Sequence, residues 1–313
     1  MIRLEPCGAL RALPLLLALG ACASDPEPQS SAVYAQDSAL SATPDLSRGQ
    51  RRTLCDGIPA AENQLFTSTG RLFISGDEGV YEITQQGAGH SSHKLQAEAS
   101  CQFGGLTEHA GTLYANCYDM VNANSSLYAA PLTQAPALRV IHALPGVALA
   151  NGLTSDEDGN LYVASTFDGT ILRLQLEPGD PLKVRAQDTF IASSGLFSNG
   201  IKYFDGRLYW TAFTTLKNAT LRPDGQAGLQ RDLWADLTFL DDLYADESGF
   251  LLDDYLNGKV IGLNAAAQQH SATPNNTFDG PSSVEPAQGR LGLSAGALVV
   301  TERGGNRVSV YEP

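Results

Sequence analysis

The chain has 313 residues, 43% of them apolar, which is ample material for a large hydrophobic core. It sets 20 lysines and arginines against 34 acidic residues, and the resulting net charge of −14 argues against a nucleic-acid partner, because no basic patch can assemble from so few scattered cations. The acidity suits a secreted soluble protein and agrees with a cation site, but charge alone does not establish one.

Residues 1–21 have the layout of a signal peptide. Arg3 and Arg11 supply positive charge, and Leu13 to Leu19 form an apolar stretch too short to span a bilayer. The segment ends in Leu19-Gly20-Ala21-Cys22, which resembles the lipobox of bacterial lipoproteins, whose cysteine is acylated and becomes the first residue. The alternative is an ordinary secretory signal with a small-residue cleavage site, and Glu5 is unusual in either. Residues 22–46, rich in Ser, Ala, Pro, Asp and Gln and without apolar periodicity, then form a flexible tether from the lipidated Cys22. This expectation places the protein in the bacterial cell envelope, touching a membrane through its lipid anchor only. Ala23 stands where an Asp would oppose outer-membrane sorting, so the expected site is the outer membrane, facing the periplasm.

From about residue 47 to 313 the chain repeats itself. Asn151-Gly152-Leu153 leads past the Asp158-Gly159 turn to Leu161-Tyr162-Val163, an antiparallel hairpin. Comparable units begin at Glu62, Gly104, Asn199, Asp241 and, more loosely, Ser282. The steps between the six heads are 42, 47, 48, 42 and 41 residues, the length of one four-stranded propeller blade. No run carries the 3.6-residue period that a helical solenoid requires. The expected fold class is therefore all-β, a six-bladed β-propeller. The sixth repeat shows only three evident strands, ending in Arg307-Val308-Ser309-Val310-Tyr311, while Thr53-Leu54-Cys55 has no blade of its own. The N-terminal strand is expected to complete the last blade and close the ring.

Cys101 and Cys117 flank the His109-Ala110-Gly111 turn, and a disulfide across that hairpin is expected; two reduced, buried residues are the alternative. Cys55 has no evident partner. Gly292-Leu293-Ser294-Ala295-Gly296 matches a nucleophile elbow as a pattern, but a strand follows it where the elbow needs a helix. The Asp156–Asn160 stretch is too short for an EF-hand and lacks its closing Glu.

In a propeller the first strand of each blade lines the central channel, so the six heads converge on one mouth. Glu62 and Asp241 bring carboxylates, and Asn151 and Asn199 bring amide oxygens. Together they make an all-oxygen shell suited to Ca²⁺ or another hard divalent cation, and the lack of His and Cys disfavours zinc or copper. Asn-Gly and Asp-Asp also make ordinary turns. Glu is not a turn residue, which gives Glu62 more weight.

The sequence Glu62-Asn63-Gln64-Leu65, Asn151-Gly152-Leu153, Asn199-Gly200-Ile201, Asp241-Asp242-Leu243 resembles the senescence-marker-protein/gluconolactonase superfamily, whose relatives include paraoxonases and diisopropylfluorophosphatase. The resemblance runs from about residue 50 to the end. It implies a six-bladed propeller holding a divalent metal at its mouth and hydrolysing lactones, aryl esters or phosphotriesters. It assigns Glu62, Asn199 and Asp241 to the metal, Asn151 to the metal or the substrate, and Asp241 also to the role of catalytic base or nucleophile. The second blade departs from the family: Gly104 stands where paraoxonases have a catalytic His, and Cys101-Gln102-Phe103-Gly104 offers neither the Arg nor the Asn that gluconolactonases use there. Tyr209-Trp210-Thr211-Ala212, read as part of an inner strand, is similar to the YWTD motif of protein-binding propellers, although core packing explains it as well.

Two functions follow. One is a Ca²⁺-dependent hydrolase acting on a small-molecule lactone or ester. The other is a non-enzymatic, envelope-tethered propeller that binds a sugar, peptide or partner protein around a structural metal. Cofactor-dependent oxidoreduction ranks below both, because no dinucleotide fingerprint is present.

Overall fold

The computed structural model describes residues 44–97 and 101–313. The signal peptide, Cys22 and the tether up to residue 43 lie outside the described residues. The described chain forms six sheets in chain order, one per repeat, and its only helical element is a single 3-10 turn at Arg290–Gly292. It is a six-bladed β-propeller.

The third blade shows why a repeat folds as it does. Its inner strand Ala150–Ser155 turns at Gly159, whose φ of 82° few other residues accept. The Asp156 carboxylate accepts hydrogen bonds from the Asn160 backbone and side chain and from the Tyr162 hydroxyl, which pins the hairpin. Asn160–Ser165, Thr170–Glu177 and Asp180–Ile191 follow outward in antiparallel register.

Second strands are buried almost throughout, as in Leu72–Gly76 and Gly249–Asp254, because both of their faces meet neighbouring blades. Side chains of one strand alternate between two clusters. Leu72 and Ile74 pack towards the sixth blade, whereas Phe73 between them packs towards the second. Six hydrophobic clusters result, each shared by two adjacent blades.

The N-terminal strand Gln50–Asp56 pairs antiparallel with Arg307–Glu312, giving the sixth blade the order Pro281–Pro286, Leu298–Glu302, Arg307–Glu312, Gln50–Asp56 from the axis outward. The expected closure is present. Docked chain begins earlier than this strand: Leu46 is fully buried, its N–H donates to Ser271 Oγ at 3.1 Å, and its carbonyl accepts from the Tyr311 hydroxyl at 2.5 Å.

Cys101 and Cys117 form a disulfide with Cα atoms 5.9 Å apart. Cys117 pairs with Phe103, so the bridge crosses the hairpin diagonally. Cys55 is buried and free. Tyr209-Trp210-Thr211-Ala212 belongs to the second strand of blade four, Arg207–Ala212, and not to an inner strand; Trp210 is wholly buried, with its indole donating to the Ser194 carbonyl at 2.8 Å. Ser294 of the elbow-like pattern lies in a sixth-blade loop, where it donates to Glu312 Oε2 at 2.6 Å.

Removing residues 1–43 should leave the melting temperature of the domain unchanged. Removal through Asp56 should abolish cooperative thermal unfolding, because it strips the outer strand of blade six. Leu46→Ala should fall between, at about 2–5 kcal/mol in denaturant titrations.

Candidate active site at the channel mouth

Five of the six inner strands begin with a register shift against the second strand, at Gly104-Gly105, Asn151-Gly152, Asn199-Gly200, Asp241-Asp242 and Ser282. The extra residue of such a bulge turns a side chain away from the ordinary pleat. Neighbouring heads also touch backbone to backbone: a Cβ on Gly152 would collide with the Asn199 carbonyl and Ile201 N, and one on Gly200 with Asp242.

Second strands clasp these heads from the side. Asn116 Nδ2 donates to the carbonyls of Asn151 and Gly152 at 3.1 and 3.2 Å, Thr211 Oγ1 to that of Asp241 at 2.5 Å, and Thr301 Oγ1 to that of Glu62 at 2.7 Å. Asp253 holds the equivalent place in blade five. Burial, and then the Asp242 charge, push its carboxyl well above the ordinary carboxylate range, towards the protonated form that carries the donor used at this position elsewhere.

The four expected site residues therefore stand on heads at one end of the channel. Glu62 and Asp241 are almost wholly buried, while Asn151 and Asn199 are half-buried. Asn199 Nδ2 donates to Asp241 Oδ1 at 2.5 Å. Burial raises the Glu62 pKa against the pull of Arg303, and burial followed by repulsion from Glu62, Asp253 and Asp242 raises that of Asp241 well above its ordinary value.

Below the heads lies a second layer. Asp242 Oδ2 accepts from Asn63 Nδ2 at 2.7 Å and Ser283 Oγ at 2.8 Å, and lies 3.2 Å from Lys202 Nζ. Blades one, five and six thus bring polar side chains to the positions at which blades two, three and four carry Gly105, Gly152 and Gly200.

Sequence reasoning missed a third set, the residues that leave the second strands: Asp77, Tyr118, Thr166, Phe213, Tyr255 and Arg303. Four of them donate a backbone N–H to the residue two before the head of their own blade: Thr166 to Leu149, Phe213 to Phe197, Tyr255 to Phe239 and Arg303 to Gly280. Tyr118 pairs with Gln102 in the same way, and Asp77 donates to Pro59. These positions recur with the same repeat as the heads, and that period was the available signal. Arg303 is the consequential one. Its Nη1 pairs with Glu62 Oε2, and its Nη2 lies 3.3 Å from Asp77 Oδ1. Tyr118 and Tyr255, both with raised pKa values, lie within electrostatic reach of Glu62 and Arg303.

The donor chemistry fits a divalent cation. Glu62 lies within electrostatic reach of Asp77, Asp241 and Asp242, four carboxylates against two cations, Arg303 and Lys202, and both mouth carboxyls are pushed towards protonation. A bound cation relieves that charge imbalance, and oxygen donors are its preferred ligands. Among the described residues no three His, Cys, Asp or Glu side chains form a metal-holding group, so amide oxygens would have to complete the shell.

No family model matches the sequence, and no curated protein matches it. Solved structures do. A gluconolactonase from Xanthomonas campestris is 17% identical, with 88% of this chain and 93% of that one covered and a TM-score of 0.64. The PQQ-bound aldose sugar dehydrogenase of Streptomyces coelicolor is 14% identical over 86% and 99% of the two chains, with a TM-score of 0.57. The nidogen/laminin complex matches at 14% identity over 74% and 85%, also with a TM-score of 0.57. The chain thus has gluconolactonases among its structural neighbours. At these identities the likeness shows the shared propeller fold, which also serves a sugar dehydrogenase and a protein complex.

Carboxyls with raised folded-state pKa values hold their protons more tightly in the native state, so stability falls as pH rises from the unfolded value through the folded one. Glu285, whose Oε2 accepts the Phe66 N–H at 2.9 Å, is pushed up to about 7 by burial against the pull of Lys202. In a chelator, Glu285→Gln should gain stability over wild type between about pH 4.5 and 7, with the gain constant above. Chemical denaturation across that range checks it.

Proposed function

We propose that this chain is a divalent-cation-dependent hydrolase of lactones or related esters, with Ca²⁺ as the expected ion held by Glu62, Asn151, Asn199 and Asp241. The observation that carries this reading is the pair of buried head carboxylates, Glu62 and Asp241, which repel each other in a mouth short of positive charge. When bound there, a divalent cation supplies Lewis acidity that draws charge from the carbonyl oxygen. The chain's own residues do the rest. Asp241 takes the proton of an attacking water at its carboxylate. Asn199 fixes the orientation of that carboxylate through its 2.5 Å bond. Arg303 holds Glu62 in place while Asp77 holds Arg303.

One observation favours the binding-module reading. Arg303 already gives Glu62 a positive partner, so that carboxylate does not depend on a metal alone. Such a propeller would bind a sugar, peptide or protein at the same mouth.

Asp241→Asn separates the two. For the hydrolase, ester and lactone turnover should fall about 10²-fold or more. Thermal stabilisation by Ca²⁺, worth about 2.7 kcal/mol at a hundredfold excess over Kd in wild type, should shrink in the variant. A wild-type protein stabilised by Ca²⁺ but inert on lactones, aryl esters and phosphotriesters leaves only the binding module.

We further propose lipidation at Cys22, with tethering to the outer membrane. Labelling of cells with a fatty acid should mark the wild-type chain and fail for Cys22→Ala. Equal labelling of both rules the anchor out.

A further inference from the structure

We infer that the group recognised at this mouth is a long acyl chain, held on an apolar wall formed by blades three to five, so that the substrate is a lipophilic ester or lactone and not a polyhydroxylated sugar lactone. The inference rests on the hydrolase reading for the reacting group alone.

The residues leaving the second strands divide the mouth into halves. Arg303, Asp77 and Tyr118, on blades six, one and two, are polar and bound up with Glu62. On blades four and five stand Phe213 and Tyr255, the latter at the border with the polar set and within electrostatic reach of Arg303. Just before the heads of blades four and five come two more aromatics in equivalent positions, Phe197 two residues before Asn199 and Phe239 two before Asp241. The four rings form one network. Phe213 meets Phe239 edge-on with centroids 5.4 Å apart, Phe197 lies 5.7 Å from Phe213 and 6.5 Å from Phe239, and Tyr255 lies 6.3 Å from Phe239. Its inner end reaches the chemistry, since Tyr255 is within electrostatic reach of Asp241 and Glu62. Its outer end reaches solvent, with Phe197 and Phe213 43% and 42% exposed.

Three further features indicate a surface built to be covered. Phe197 and Phe213 both hold positive φ, 52° and 54°, a conformation that is strained for a bulky side chain and that Gly or Asn would adopt readily. Phe167 and Leu196, in loops of the same face, are 54% and 77% exposed and extend the wall outward. Of the large apolar side chains exposed among the described residues, only Val140 and Leu229 lie off the mouth-face loops. Rings and aliphatic chains cannot replace the water bonds of a polyol, but they gain with every methylene they cover.

The test uses p-nitrophenyl esters from acetate to octanoate, with δ-gluconolactone for comparison. The purified wild-type protein in Ca²⁺ is set beside Phe197→Asn/Phe213→Asn, in which Asn accepts the positive φ and removes the rings. In wild type kcat/KM should rise about two- to fourfold per added methylene and exceed that for gluconolactone, and the slope should flatten in the double variant. A flat series, or a preference for gluconolactone, overturns the wall; if Asp241→Asn still abolishes turnover, the hydrolase stands without it. If no ester is turned over, calorimetric titration with 2-decanone and 2-butanone decides. Binding of 2-decanone at least about tenfold tighter, lost in the double variant, keeps the wall while the hydrolase falls. Equal binding of the two ketones overturns it. Flotation of wild type with phosphatidylcholine vesicles, lost in the double variant and paired with a flat ester series, assigns the wall to a bilayer and overturns the substrate reading.

Discussion

The inner strands of blades two to five meet closely enough that their heads touch backbone to backbone, and the mouth of the propeller depends on that contact. Glycines at 105, 152 and 200 allow it, since a Cβ on the first two would strike the backbone of the next head and one on the third would strike Asp242, which Asn63 and Ser283 hold. Carbonyls turned out of the sheets by the head bulges would otherwise lack partners in a buried place. The side chains of Asn116, Thr211 and Thr301 supply those partners from the adjoining blade. At three of the six junctions the register of one blade is thereby tied to the head of the next.

The electrostatics follow from this geometry. Convergence forces Glu62, Asp241 and Asp242 together in a place with little water, and burial is the first cause of the raised pKa of both mouth carboxyls. Arg303 and Lys202 neutralise part of this charge through Glu62 and Asp242, and Asp241 is left with an amide as its close partner. A buried carboxylate held by a neutral donor keeps lone pairs for a proton or a cation, which is the chemistry on which the proposed hydrolase and the alternative binding module both draw.

One structural neighbour, an aldose sugar dehydrogenase, is known in a PQQ-bound form, and a dinucleotide fingerprint bears on nucleotide cofactors alone. The lining of the mouth is the better guide to what enters it, and here that lining is half charged and half aromatic.

The sequence by itself determined the ring. Its 41- to 48-residue period, the hairpin turns and the orphan strand at Leu54 follow from local rules, because strand alternation and turn chemistry act between residues near each other in the chain. It also marked Glu62, Asn151, Asn199 and Asp241, since equivalent positions in a repeat must share one environment. Tertiary structure decided what the repeat does not encode: that Arg303 from the last blade reaches Glu62 of the first, that Asp242 is held between Asn63 and Ser283, and that Phe197, Phe213, Phe239 and Tyr255 form one surface. Those partners lie up to 241 residues apart, and only closure of the ring brings them within bonding distance.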